Sequence, residues 1–157
     1  MDKFPITANG FKAMEAEVKH LKAIERPSVI KAIAEARAHG DLSENAEYSA
    51  AREKQSFIEG RILELESKIA GAEVIDVASL SGDRVKFGAM VKLMDEDTEE
   101  NVTYQIVGEY EADIKKHMLS VTAPISRALI GKKKGDTVEV VTPKGSKSYE
   151  VIEVKFK

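Results

Sequence analysis

RAHGDLSENAEYSAAR, residues Arg37 to Arg52, lies between two long segments that both carry a helical apolar period, and so reads as the turn of a hairpin. It sets Gly40 and three carboxylates, Asp41, Glu44 and Glu47, at that turn, with Arg37 on one arm and Arg52 on the other. Upstream, Phe11, Met14, Val18 and Leu21 are spaced 3, 4 and 3, the rhythm of a coiled-coil seam. Pro27 lacks an amide hydrogen and disfavours helix at Arg26, which predicts a kink or a restart. Val29, Ile33 and Ala36 then carry the stripe to the turn. Downstream, Ala51, Gln55, Ile58, Ile62, Leu65, Ile69 and Ala72 alternate spacings of 4 and 3, and only Gln55 is polar. Two narrow stripes on short-linked arms can be buried only against each other, as an antiparallel hairpin. An arm of about 30 residues would reach roughly 45 Å. Alanines at 32, 34, 36, 38, 46, 50 and 51 predict a slender tip.

Beyond GAEVIDVASLSGDRV (Gly71 to Val85) the period changes from helical to two. RVKFG, AMVKLMDED, NVTYQIVGEY, HMLSVTAP, DTVEVVTP and KSYEVIEVKF alternate or run apolar and are rich in β-branched residues and tyrosine, as strands are. EADIKKH and PISRALIG read as short helical interruptions, with Pro124 able to start a turn that Gly131 ends. The expected fold class is α+β. A coiled-coil hairpin with its acidic tip near 41–44 occupies 1–76, and a mainly antiparallel β-sheet domain occupies 77–157.

Composition narrows the functions. Apolar residues make up 43% of the 157 and charged residues 32%, so a core is possible but much of the chain must be thin and solvated. Cysteine is absent, which excludes disulfides and thiol chemistry, and His20, His39 and His117 lack ligand spacing for zinc. Net charge is −3; Lys and Arg against Asp and Glu number 11 to 14 through Asp76 and 13 to 13 beyond it. Neither half is a basic block, so any contact with nucleic acid is expected to depend on a partner. No signal peptide and no run of roughly 18 apolar residues is present, so a cytoplasmic protein without a membrane partner is expected.

Two explanations of the acidic turn stand open. In the first, Asp41-Leu42-Ser43-Glu44 is a capping box, Asp41 capping the second arm and Glu44 reaching back, with Gly40 ending the first arm. In the second, carboxylates at the end of a thin rod are delivered into a cavity to meet a hard cation. Mg²⁺ takes oxygen ligands, often only one or two of them from protein carboxylates. Arg37 and Arg52 would then lie near phosphates already inside that cavity. His39 reads as an exposed helix-terminal residue rather than a proton relay, Tyr104 and Tyr110 as sheet-core or surface aromatics rather than a ligand pocket, and Lys132, Lys133 and Lys134 as a solvated loop.

HGDLSENAEYSAAR closely resembles the tip motif of the bacterial transcript cleavage factors GreA and GreB. The likeness continues through PSVIKAIAEARAHGD, EGRILELESKIAGAEVID, FGAMVKL, YQIVGEYEAD, SVTAPISRALIGKKKGD and YEVIEVKF. It covers essentially the whole chain in order, and the modest charge lies nearer GreA. The resemblance implies an FKBP-like carboxy-terminal domain and a partner, bacterial RNA polymerase. The hairpin would pass through the secondary channel of that enzyme and stimulate its own cleavage of backtracked RNA. On this footing Asp41 and Glu44 match the acidic positions that help hold the polymerase's second Mg²⁺. No cofactor is held by the chain alone. Arg37 and Arg52 match positions near the extruded RNA 3′ end, and Asn45 and Tyr48 belong to the same motif as tip support. Thr122, Ala123 and Pro124 match part of the surface that grips the channel rim, although relatives often carry more polar residues there. A monomeric accessory factor, not an enzyme, is implied. Two rival readings are a prolyl isomerase with a chaperone arm, for which 6% aromatics and no tryptophan give little pocket material, and a channel-occupying inhibitor, which would not need Asp41 and Glu44.

Overall fold

The computed structural model describes residues 3–41 and 44–156. The chain divides into two compact units, one of Phe11–Gly71 and one of Met1–Gly10 with Ala72–Lys157. The expected boundary near Asp76 therefore lies at Gly71, and the residues before Phe11 join the carboxy-terminal unit.

The first arm of the hairpin runs through α1 (Ala8–His20), a π-helical turn (Leu21–Glu25) and α2 (Arg26–Arg37), and the second arm is α3 (Ala46–Gly71). The expected restart takes a particular form: α2 begins at Arg26 with Pro27 in its first turn, directly after the π turn and without a break in the helical backbone. In a regular α-helix the Pro27 ring would crowd the Ala23 carbonyl and leave it without a donor. The wide turn shifts the pairing, so that the Arg26 amide donates to the Leu21 carbonyl, and Arg26 stays helical at φ −61°, ψ −51°. The π turn also keeps the seam in register. Buried Met14, Leu21, Val29 and Ala36 are stepped 7, 8 and 7, and the residue in excess of the heptad falls inside the π turn. Opposite them α3 buries Ile58, Ile62 and Leu65. Among the alanines near the turn, Ala36 is buried and Ala51 half-buried, while Ala32, Ala34, Ala38, Ala46 and Ala50 are exposed, so they are mostly not seam residues. Ion pairs flank the seam: Arg61 is bidentate on Glu17 at 2.7 and 3.0 Å, Arg26 on Glu59 at 2.8 and 2.7 Å, and Lys22 reaches Glu66 at 2.8 Å. The arginine hydrogen bonds hold the Glu17 and Glu59 carboxyls below their usual range. Exposed pairs of this kind contribute little stability each.

In the other unit, β1 (Phe4–Thr7) and β2 (Ala72–Ile75) form a two-stranded parallel sheet. Neither strand was legible, because each is only four residues long, β1 contains Pro5, and β2 follows α3 without a break. Ala72, expected on the helical seam, opens β2. The main sheet comprises β3 (Ala89–Asp95), β4 (Asn101–Val107), β5 (Met118–Ser120), β6 (Thr137–Thr142) and β7 (Gly145–Phe156), in the order β5-β4-β3-β7-β6. All neighbours are antiparallel except β4 and β5. RVKFG is not a strand; it contributes a single bridge from Arg84 to Lys133. A bulge between Lys92 and Leu93 shifts the register of β3 on β7. Ala89, Val91 and Leu93 alternate into the core with Ile106, Val138 and Val151, and Leu129 of α4 (Pro124–Leu129) closes over them. A short 3₁₀ turn (Ile114–Lys116) lies where EADIKKH was expected to be helical.

Candidate functional site

The hairpin turn is built from its backbone outward. After α2 the Ala38 amide donates to the Glu35 carbonyl and the His39 amide to the Ala36 carbonyl, tightening the last turn. Gly40 then takes φ +122°, a conformation that favours glycine. The second arm is capped by Asn45: its Oδ1 accepts from the Tyr48 amide at 3.0 Å, the bond an N-cap side chain makes to the third helical residue. Its Nδ2 donates to the Ala36 carbonyl at 2.6 Å, so one side chain ties the start of α3 to the end of α2. The expected capping box is thereby corrected. Asp41 is not the cap of α3, which starts at Ala46 and places Asn45 in that role. Leu42 and Ser43, the middle of that box, lie outside the described residues. Asn45, expected only as tip support, is the cap instead; its residue type, favoured at helix N-caps, was the signal that could have found it.

Tyr48 organises the cationic side of the turn. The guanidinium carbons of Arg37 and Arg52 each lie 5.9 Å from its ring centroid, and Arg52 Nη1 donates to the phenol oxygen at 3.0 Å. Hydrogen bonding from Arg37 and then Arg52 holds the phenol below its usual range. The two arginines, one per arm in sequence, are thus gathered on one ring. Asp41 and Glu44 are exposed, and with His39, Asn45, Ala46 and Glu47 they line an open depression. Glu47 stands in the first turn of α3, where a carboxylate faces the positive end of the helix dipole.

Among the described residues no group of three or more His, Cys, Asp or Glu is arranged to hold a metal ion. Asp41 and Glu44 offer hard oxygen donors of the kind Mg²⁺ takes, suited to contributing part of a shell whose remaining ligands come from elsewhere. His39 is exposed beside them.

The remaining predicted residues belong to the sheet unit. Ala123 precedes α4 in extended conformation and Pro124 begins it. The Thr122 amide donates to Ser120 Oγ at 3.1 Å, and the two hydroxyls are 2.7 Å apart. Tyr104 is half-buried beside the sheet core and packs edge-on against His117, and Tyr110 is exposed. Lys133 lies in a loop closed by its amide donating to Asp136 at 3.0 Å. Among the described residues no helix is long and apolar enough to cross a membrane.

Comparison with known proteins covers both units. Residues 4–74 match the family described as Transcription elongation factor, N-terminal, and residues 80–156 the one described as Transcription elongation factor, GreA/GreB, C-term. A Rickettsia canadensis protein named Transcription elongation factor GreA is 67% identical over 155 residues, spanning 99% of this chain and 96% of its own. One from Methylobacterium nodulans with the same name is 65% identical over 156 residues, 99% of each. Of solved structures, GreA factor homolog 1 of Thermus thermophilus is 24% identical with a TM-score of 0.44, over 98% of this chain and 99% of that one.

Proposed function

The chain belongs to the GreA/GreB family of transcription elongation factors, which work with RNA polymerase, and on that premise we propose that it stimulates the polymerase's own cleavage of backtracked nascent RNA. In this reading the hairpin enters the secondary channel and its turn meets the extruded RNA 3′ end. The chain acts as a monomeric accessory factor, and the bond is broken in the polymerase active centre. The observation that carries the reading is the division of labour at the turn. Asn45 ties the start of α3 to the end of α2, and Asp41 and Glu44 stand exposed beside it, lining an open depression at the turn.

Asp41 and Glu44 would supply oxygen ligands to a Mg²⁺ held jointly with the polymerase. That ion, when bound, lowers the pKa of the attacking water. Arg37 and Arg52, gathered on Tyr48, would contact RNA phosphates and orient the strand. Thr122, Ala123 and Pro124 would grip the channel rim. The test is transcript cleavage in a stalled elongation complex. The chain should stimulate cleavage. An Asp41→Asn, Glu44→Gln double variant should bind polymerase and melt normally yet lose most of the stimulation. Normal cleavage by that variant would overturn the assignment.

A further inference from the structure

Arg26 and Arg61, farther along the hairpin, are each matched by a carboxylate. Arg37 and Arg52 are exposed and take part in no ion pair among the described residues. They are like charges on different arms, and each ends a long side chain with many rotamers. What opposes their separation is Tyr48. It lies four residues before Arg52, so the two share a face of α3, and Arg52 Nη1 donates to its phenol oxygen at 3.0 Å. Arg37, the last residue of α2, brings its guanidinium carbon to 5.9 Å from the same ring centroid, as does Arg52. The negative face of an aromatic ring attracts both cations. The ring is itself held from behind. Asn45 accepts from the Tyr48 amide and donates to the Ala36 carbonyl next to Arg37, so the half-buried ring stands on backbone fixed to both arms.

A guanidinium presents its N–H donors in one fixed plane, so its hold on a phosphate depends on direction as well as distance. The ring and its phenol oxygen restrict where both planes point before any anion arrives. Side chains aligned in advance lose less conformational freedom on contact. We propose that Tyr48 is a positioning residue that aligns Arg37 and Arg52 as one preorganised pair for the phosphates of the RNA strand. It acts through the arginines rather than by touching the RNA. Its consequence for cleavage rests on the function proposed above; the alignment itself does not.

Arginine side-chain NMR on the full chain reads the alignment without polymerase. The Nε–H signals of Arg37 and Arg52, assigned by their loss in Arg37→Gln and Arg52→Gln, should be displaced by the ring current in the parent. Tyr48→Leu should move both to the position of free arginine, whereas Tyr48→Phe, which loses only the phenol oxygen, should keep most of the displacement. In elongation complexes, Tyr48→Leu should lower the cleavage rate at saturation by about tenfold, since misplacement by about 1 Å can cost a catalysed step about 100-fold. On an Arg37→Gln, Arg52→Gln background the same substitution should cause no further loss, because groups that act only through one another are not additive. Tyr48→Phe, which keeps the ring that shapes the turn, repeats the cycle with a smaller loss that should likewise vanish. A tyrosine that merely holds the fold would subtract the same factor in both backgrounds, and that result would overturn the positioning role. Arginine signals unmoved in Tyr48→Leu would overturn the alignment. A parent chain that stimulates no cleavage would sink the proposed function instead, leaving the signals to decide the alignment.

Discussion

At Asn45 a single amide serves two helix ends, and the two bonds can be separated by substitution. Asn45→Ala removes both and leaves the Ala36 carbonyl without that donor, so a loss of about 0.5–2 kcal/mol is expected from the cap alone. Asn45→Asp keeps the acceptor for the Tyr48 amide and loses only the donor, so its melting temperature should fall between parent and Ala. Thermal melting followed by far-UV circular dichroism checks this, and equal losses in both variants would show that the cap contributes nothing. Tyr48 offers a pH test. Arg37 and Arg52 favour its ionised form, whereas burial pushes the Tyr149 phenol up. Of the four tyrosines, Tyr48 should therefore ionise before Tyr149 in a spectrophotometric titration, and Tyr48→Phe should delete the early step. The sign follows from linkage. A lowered phenol pKa adds stability only as pH rises through the folded value toward the unfolded one, so nothing is expected near neutrality. If the early step survives in Tyr48→Phe, the arginines do not act on that ring.

Among the elements, the π turn was hidden for a definite reason. Pro27 was visible and its local rule is sound, but that rule says only that a regular α-helical bond is lost. It does not say whether the chain breaks or widens. The answer lay in the seam: the step of 8 from Leu21 to Val29 contains one residue too many for a heptad, and only a wide turn lets both flanking stripes face α3. Deleting Ala23 together with Pro27→Ala should remove both the surplus residue and the ring that a regular α-helix cannot accept, turn the π segment into ordinary α-helix and leave the hairpin folded. Inserting an alanine after Ala23 should instead rotate the following stripe by about 100° and destabilise the hairpin strongly. Melting of the two variants decides; a deletion as damaging as the insertion would refute the register argument.

For the molecule as a whole, the entering strand β1 and the leaving strand β2 pair with each other, Phe4 with Ala72 and Thr7 with Ile75. The hairpin Phe11–Gly71 is thus inserted into a unit that closes around it in sequence. Replacing those residues with a flexible linker of about eight residues, which spans about 16 Å on average, should leave a folded sheet unit. It should melt higher than a fragment starting at Val77, which lacks both strands. In the proposed function it should also compete for polymerase while stimulating no cleavage. Equal stability of the two fragments would show that β1 and β2 add nothing to the sheet unit.

The helical arms, most of the strands and the acidic turn were legible because each depends on local spacing: a period of 3.5 or 2, and carboxylates clustered beside a glycine. The roles within the turn were not. Asp41 and Asn45 are both good caps on paper, and which one serves depends on where α3 begins and on the carbonyl that Ala36 offers from the other arm. The gathering of Arg37 and Arg52 on Tyr48 was hidden in the same way, since it needs both arms in place. So were the pairing of β1 with β2 and the hydrogen bond from the Thr7 amide to the Glu111 carboxylate, 104 residues apart. Periodicity reports which side of an element is apolar; only the packed chain decides which distant polar group completes a hydrogen bond.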